Sequence, residues 1–185
     1  MEYICLDFIN SQWHKKFNNV EVLKETHWIN EFLIKWNLNS EKLPTSNFYP
    51  DLLSLRNTLI RTLETILLNE TVDLIFLKDL NKYLSLCTYR KSIEKSENTL
   101  SIIEKPESYD WNWVMSEITL SFCSLVLNKN LDRIKICENP DCEFIYYDNS
   151  KNQTKRWCCN NCSNLMKVRR FRMKQKGLSQ NRILR

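Results

Sequence analysis

The sequence predicts a mainly α-helical (α+β) chain with one small β-hairpin, ending in a cysteine-rich module built from a second β-hairpin and a helix. A single Gly and four Pro leave little material for the turns of a many-stranded sheet, while 43% hydrophobic residues can fill a core. Apolar residues recur at helical spacing in residues 50–86 and 110–127. Five of the eight cysteines crowd into residues 137–162.

The first elements are short. The run Leu6–Ser11 alternates apolar and polar residues and ends in turn formers, so it is either a strand or the entry to a helix. A helix is predicted over residues 27–36, with Thr26 as its N-cap and an end before Pro44. Three aromatic residues lie four positions apart on one face, which we expect to pack in the core: Trp28, Phe32 and Trp36.

The middle of the chain predicts three longer helices and a hairpin. Residues 50–68 and 73–86 repeat leucines at helical spacing on either side of a break at 69–71, so we expect an antiparallel helix pair. Residues 89–93 and 99–103 carry β-branched and aromatic residues around a polar link, which predicts a hairpin ended by Pro106. Asp110 then caps a helix to about Leu127.

Two tryptophans of this last helix, Trp111 and Trp113, allow two interpretations. An aromatic stripe at helical spacing is usually part of a core, but the same rings can line a pocket for a small molecule. We expect core packing.

The N-terminus has no signal-like segment and no later run reaches the length of a membrane span, so we expect a cytoplasmic protein without membrane contact. Thiols stay reduced in the cytoplasm, which favours metal ligands and buried side chains over disulfides. Cys5, Cys87 and Cys123 lie among apolar residues and are expected to be small core side chains.

The remaining cysteines have the spacing of a structural zinc site. Two thiol pairs separated by room for a β-hairpin present four thiolates tetrahedrally to one Zn²⁺. The two strands of this hairpin are predicted at residues 134–136 and 144–147. A turn is predicted at residues 148–152, between the second strand and the second pair of cysteines. The predicted ligands are Cys137, Cys142, Cys158 and Cys162. Cys159 is the alternative to Cys158, through a C-x-x-C with Cys162.

This segment resembles a known family. The shared features are Cys137-x4-Cys142, Phe144, Asp148, Ser150, Asn152, Arg156-Trp157-Cys158, Cys162-Ser163-Asn164, Lys167 and Arg169-Arg170. They resemble the CGNR zinc finger of bacterial transcription regulators, in which an N-terminal ABATE domain begins with a segment similar to Leu6–Ser11. The resemblance implies an ABATE-like helical domain over residues 1–130, the finger with its basic helix over 131–177 and a basic tail over 178–185.

The chain departs from the family pattern in two places. Cys162-Ser163-Asn164-Leu165 stands where the family has Cys-Gly-Asn-Arg, and the second cysteine pair is one residue closer than usual. Neither change removes a zinc ligand. Leu165 cannot make the contact that the family's arginine makes, because it carries no charge.

Charge divides the chain. Residues 151–185 hold eleven Lys and Arg and no acidic residue, which leaves sixteen basic and twenty-two acidic residues in the first 150. A helix is predicted over residues 164–176, with basic side chains around most of its circumference and a narrow apolar strip, Leu165, Val168 and Phe171, for docking on the finger. The predicted nucleic-acid-binding residues are Lys155, Arg156, Lys167, Arg169, Arg170, Arg172 and Lys174.

Three function classes follow. The first is a DNA-binding transcription regulator whose body senses a small-molecule effector or forms a homodimer, as the family resemblance implies. The second is an RNA- or ribosome-associated protein in which Trp157, Tyr146 and Tyr147 stack bases. The third, an enzyme, is disfavoured because the only histidines, His14 and His27, lie in no catalytic motif and one Gly excludes a Gly-rich phosphate loop.

Overall fold

The computed structural model describes residues 3–12, 20–38, 48–68, 74–96 and 99–183, with side chains up to residue 175. In these ranges the chain is mainly helical and carries two small antiparallel sheets, so the predicted fold class is confirmed. The helices are α1 (Ile4–Ile9), α2 (Thr26–Lys35), α3 (Tyr49–Leu67), α4 (Leu74–Leu84), α5 (Trp111–Asn128) and α6 (Asn160–Ile183); the strands are β1 (Tyr89–Ser96), β2 (Thr99–Pro106), β3 (Ile134–Ile136) and β4 (Ile145–Tyr147). The predicted breaks at Pro44 and 69–71, and His14, lie outside the described residues.

The core of the helical body lies where α3 and α5 meet α1. The leucines predicted to face inward do so, because their helical spacing places them on one side of α3: Leu52, Leu55, Leu59 and Leu63. From α5, Val114, Ile118, Phe122 and Leu125 fill the same core. Trp111 and Trp113 are buried in it as well, so their interpretation as core residues is the correct one.

At the start of the chain the structure decides one open alternative and corrects one prediction. The undecided run Leu6–Ser11 is helical: α1 continues into a short 3-10 turn over Asn10–Gln12. Thr26 is the first residue of α2 and not its N-cap, a position taken by Glu25 without a side-chain hydrogen bond. The aromatic face of α2 packs as predicted, with Phe32 buried and stacked on Trp28 at a centroid distance of 5.3 Å.

The predicted hairpin forms, with strands longer than the sequence indicated. β1 and β2 pair antiparallel from Tyr89–Pro106 at the base to Ser96–Thr99 at the tip. Its strands are almost entirely exposed, including Ile93 and Ile102, which face each other across the pair. Side-chain ion pairs, such as Lys91–Glu104 at 3.0 Å, connect the strands along their length.

The C-terminal module packs directly against this body. Ile134 of β3 belongs to the body's apolar core, and Tyr147 of β4 makes an edge-on contact with Tyr3. The Asn10 side chain acts like a neighbouring strand: its Oδ1 accepts from the Ile145 N–H and its Nδ2 donates to the Ile145 C=O, both at 2.8 Å. The exposed edge of β4 is therefore satisfied by the end of α1.

Within the module, a buried carboxylate holds the turn after β4. Asp148 is fully buried and accepts hydrogen bonds from Lys135 Nζ at 2.8 Å, the Ser150 N–H at 2.9 Å and the Lys155 N–H at 3.0 Å. Burial alone would raise the pKa of Asp148, but these hydrogen bonds outweigh it and hold the pKa well below its usual value. Asp148 thus joins β3 to the loop that returns to the second cysteine pair.

The last helix begins earlier and ends later than predicted, at Asn160 and Ile183 instead of residues 164 and 176. Its first turn contains Cys162, so the helix grows directly out of the cysteine cluster. In the described ranges, no helix has the length and apolarity needed to cross a bilayer.

We predict that Asn10→Ala destabilises the protein by about 1–3 kcal/mol, because it leaves both backbone groups of Ile145 without their partner at a half-buried site. Urea unfolding followed by fluorescence measures the loss. Gln12→Ala, at an exposed position two residues on, is the matched control and should change the free energy of unfolding by less than about 0.5 kcal/mol. Equal effects of the two substitutions would contradict the proposed edge pairing.

We also predict that Asp148→Asn costs about 2 kcal/mol at neutral pH, because the charged acceptor of three hydrogen bonds is lost. Since the folded pKa is depressed, this contribution is fully present above the unfolded pKa of about 4, decreases below it and is lost as the pH falls through the folded pKa. The difference in unfolding free energy between wild type and variant should therefore shrink between neutral pH and about pH 3. Asp132→Asn, at an exposed carboxylate of the same module, is the control, and a pH-independent difference for Asp148→Asn would contradict the assignment.

Candidate metal centre and nucleic-acid interface

Four cysteine sulfurs meet at one point of the C-terminal module. The Sγ atoms of Cys137, Cys142, Cys158 and Cys162 all lie within 4.8 Å of one another. Cys142 and Cys158 are 3.7 Å apart, as are Cys158 and Cys162. The structure thus brings together the four cysteines that the sequence spacing selected.

These distances fit a tetrahedral metal site. With metal–sulfur bonds of about 2.3 Å, the sulfurs of a zinc-centred tetrahedron are about 3.8 Å apart. The two measured 3.7 Å separations match that edge. Four soft sulfur donors in this arrangement suit a tetrahedral thiophilic ion such as Zn²⁺ and leave no position for water.

The local chain geometry explains how the sulfurs converge. In the first pair, the Cys142 N–H donates to the Asn139 C=O at 2.8 Å and closes the turn between the two thiols. The Asn139 side chain is buried and its Nδ2 lies 3.5 Å from the Cys162 Sγ, so it connects the first turn to α6. The Cys158 N–H donates to the Cys137 Sγ at 3.4 Å, which is how backbone donors stabilise a thiolate.

The pKa values of the clustered thiols favour a cation at this site. Burial raises the pKa of Cys142 to about 12, and burial together with the neighbouring thiols raises the pKa of Cys158. Burial also acts on Cys137, but backbone hydrogen bonds from Cys158 and Asn139 outweigh it and lower its pKa. Four thiolates at this separation repel one another, so a bound cation is required for all of them to ionise.

Cys159 lies outside the four-sulfur cluster. Its side chain is exposed, and its Sγ lies 3.7 Å from that of Cys158. Its position next to a cluster member makes it a sensitive control for ligand assignment.

The aromatic residues near the cluster are already in contact with other groups. Tyr146 is buried against the cysteines, its hydroxyl donates to the Lys155 C=O at 2.8 Å, and the Lys155 ammonium lies 4.9 Å from its ring centroid. The Trp157 ring packs on the same cluster and is covered by two guanidinium groups, from Arg156 at 5.4 Å and Arg170 at 5.6 Å. These rings stabilise the module.

The seven basic residues selected from the sequence fall into two groups. The arginines of the first group bind within the module: Arg156 donates to Glu138, its Nε at 2.7 Å, and Arg169 donates to the carboxylate of Asp141. Arg170 lies over Trp157. These three side chains hold α6 and the preceding loop to the finger.

The second group points into solvent. Lys167, Arg172 and Lys174 are exposed on α6, and their side chains form no ion pair or hydrogen bond with any other residue that the structure describes. Lys155 is also exposed, and its ammonium lies over the Tyr146 ring beside the joint with the helical body. The structure therefore does not gather the seven residues into one patch.

The expected docking of α6 by its apolar strip is wrong. Leu165, Val168 and Phe171 are 41%, 45% and 63% exposed. The helix is instead attached through Cys162, Arg169 and Arg170 on its other side. The cysteine cluster fixes the orientation of α6 about its axis because Cys162 belongs to both. The two arginines lie next to the cluster and so face the module, whereas the apolar strip does not.

Sequence reasoning missed three polar residues on which the site depends: Asn139, Lys135 and Asp148. Asn139 sits inside the first cysteine turn, and Asp148 is one of the positions shared with the family pattern, so both carried a signal. Lys135 carried none, since a lysine in a short strand is ordinarily a solvent-facing residue.

Comparison with known proteins agrees with this geometry. Residues 133–175 match the family described as the CGNR zinc finger. The chain has no significant match among curated proteins. The matched range spans β3, β4, all four clustered cysteines and the solvent-facing basic residues of α6. Residues 133–175 therefore form a CGNR zinc finger at the C-terminal end of this chain.

Proposed function

We propose that this protein is a DNA-binding transcription regulator in which one structural Zn²⁺ fixes a basic helix for contact with the phosphate backbone. The carrying observation is that α6 starts at the four-sulfur cluster and presents Lys167, Arg172 and Lys174 to solvent. Lysine and arginine side chains that release counterions from phosphates supply most sequence-independent affinity for DNA.

The proposed metal role is structural and the protein non-catalytic. Cys137, Cys142, Cys158 and Cys162 would hold the ion, which supplies a cross-link between the first turn of the finger and α6. Four protein ligands fill a tetrahedral ion, whereas catalytic zinc keeps one position for water.

The dimensions of α6 suit a groove of duplex DNA. Its 24 residues span about 36 Å, and a helix fits the major groove, which is about 12 Å wide. Residues 171–175 are all exposed, so this part of the helix is accessible on every side. Leu165, at the position of the family's arginine, adds no phosphate contact, and the solvent-facing Lys167, Arg172 and Lys174 carry that role.

An RNA-binding function is the alternative. Recognition of single-stranded RNA by base stacking on Tyr146, Tyr147 and Trp157 would need their rings to be free. The Tyr146 ring lies under Lys155, the Trp157 ring lies under Arg156 and Arg170, and Tyr147 contacts Tyr3. These contacts disfavour stacking on the three rings, and competition between duplex DNA and structured RNA tests the choice of partner.

We infer that the body, an ABATE-like unit over residues 1–130, regulates the finger in the cytoplasm by sensing an effector or by forming a homodimer. The support is the direct contact between the two units: Asn10 hydrogen-bonds to β4, and Ile134 is buried in the body's core. Through these contacts a conformational change in the body can alter the position of the finger.

The metal assignment predicts one zinc per chain. Cys142→Ser should lose that zinc, because its sulfur is one of the four and is buried inside the cluster. Elemental analysis of purified protein measures the stoichiometry. Cys159→Ser should retain the metal, and loss of zinc in this control together with retention in Cys142→Ser would contradict the ligand set.

The binding assignment predicts that replacing Lys167, Arg172 and Lys174 together by Gln weakens duplex binding. The magnitude of the slope of log K against log salt should fall by about 0.9 for each lost phosphate contact, and so by up to about 2.7 for the three. Fluorescence anisotropy with a labelled duplex across a salt series measures both quantities. Zinc content should stay at one per chain, because none of the three contacts the cluster.

The matched control replaces three exposed lysines of the body, Lys78, Lys95 and Lys129, and keeps the net charge change equal. Equal losses in the two triple variants would show a nonspecific charge effect and contradict the assignment. Structured RNA that competes better than duplex DNA would favour the alternative function.

A further inference from the structure

A cleft of about 290 Å³ lies at the joint between the helical body and the finger. One wall comes from the body, with Tyr3, Asp7 and Lys35. The other comes from the finger, with Tyr147 and Lys155. This volume is close to the lower end of the range for small-molecule pockets, so the cleft suits a small organic molecule.

Lys155 places a fixed positive charge on the finger side of this cleft. Its backbone is held on both sides, because its N–H donates to the Asp148 carboxylate at 3.0 Å and its C=O accepts from the Tyr146 hydroxyl at 2.8 Å. Its ammonium lies over the Tyr146 ring and forms no ion pair with any carboxylate in the described ranges. A positioned cation without a counter-charge is a recognition element for an anion.

The one carboxylate that lines the cleft does not cancel this charge. Asp7 Oδ2 accepts from Lys35 Nζ at 2.9 Å and from Trp36 Nε1 at 2.8 Å, so its charge is already compensated by the body. Lys35 and Asp7 neutralise each other, so among the charged side chains that line the cleft in the described ranges the Lys155 ammonium is the one left without a counter-charge. Cys158 of the four-sulfur cluster also lines the cleft, so selectivity for a monoanion rests on the Lys155 ammonium and not on the net charge of the walls.

The remaining walls are aromatic. Tyr3 and Tyr147 meet edge-on with centroids 5.3 Å apart, and Phe144 and Tyr146 continue the surface on the finger side. Rings arranged this way favour a flat apolar group through stacked or edge-to-face contacts. Burial raises the pKa of Tyr3, so its hydroxyl stays protonated at neutral pH and remains a donor.

We propose that this cleft binds a small planar organic monoanion, an aromatic carboxylate, with its carboxylate on Lys155 and its ring against the pair of tyrosines, Tyr3 and Tyr147, that the two units contribute. Because the ligand would touch α1 on one side and β4 on the other, it would fix the angle between body and finger. That it regulates nucleic-acid binding rests on the proposed function; the binding itself does not.

The experiment uses the full-length zinc-loaded protein and benzoate as the probe, without nucleic acid. Titration followed by ¹H–¹⁵N correlation spectra should shift the backbone amides of Tyr147, Asn149 and Lys155, with a dissociation constant on the order of 1 mM for so small a ligand. Benzamide, which has the same shape without charge, and acetate, which lacks the ring, should each bind at least about tenfold more weakly.

Two variants test the role of the ammonium. Lys155→Gln should weaken benzoate binding by about tenfold, and Lys155→Arg, which keeps the charge, should preserve it. Lys151→Gln removes an exposed lysine from the same loop and should leave the affinity unchanged.

Shifts confined to other parts of the protein, equal affinity for benzoate and benzamide, or full affinity in Lys155→Gln would each overturn the proposal. These outcomes are separate from duplex binding by the Lys167, Arg172 and Lys174 variant, so failure of one does not imply failure of the other.

Discussion

The arrangement of β3, β4 and α6 in the C-terminal module depends on the cluster of four cysteine sulfurs. β3 and β4 pair over only three residues each, and the apolar cluster beside them consists mostly of the cysteines themselves. A module this small cannot bury enough apolar surface to fold by itself. In the proposed metal site, attraction between the cation and the thiolates would replace the missing core. The position of α6 depends on the same cluster because Cys162 lies in its first turn.

A second constraint joins this module to the body. An unpaired strand edge must find hydrogen-bond partners, and β4 finds them in one amide side chain at the end of α1. The same short segment is anchored at Asp7 by α2 and at Ser11, which accepts from the buried Arg56 guanidinium at 3.0 Å. One stretch of the chain thus connects two helices of the body and the finger, and a ligand in the adjoining cleft would act on that connection.

How far the sequence predicts this structure depends on the kind of interaction. The helices α3 and α5 follow from their apolar spacing, since burial of one face needs no knowledge of the partner. The cysteine cluster follows from spacing because a metal site needs only two short turns. The role of Asn10 does not follow, because its partner lies 135 residues away and any exposed backbone edge would satisfy an amide equally well. Asp148 was visible as a shared motif position, but its burial depends on the tertiary placement of Lys135.

The orientation of α6 about its own axis could not be predicted from the sequence either. That orientation decides which basic side chains of the module have acidic partners and which face solvent. Three apolar residues on one face suggested a docking strip, but the arginines beside the cluster hold the opposite face. Guanidinium groups suit such inward roles, since they stack on an indole ring and bind carboxylates with two nitrogens, whereas lysines act as hydrated point charges. Arg156 and Arg169 are neutralised by Glu138 and Asp141, both acidic residues of the finger itself. The eleven positive charges of residues 151–185 therefore overstate the positive charge that the module presents to solvent. Under the proposed function, the salt dependence of duplex binding would follow the solvent-facing side chains instead.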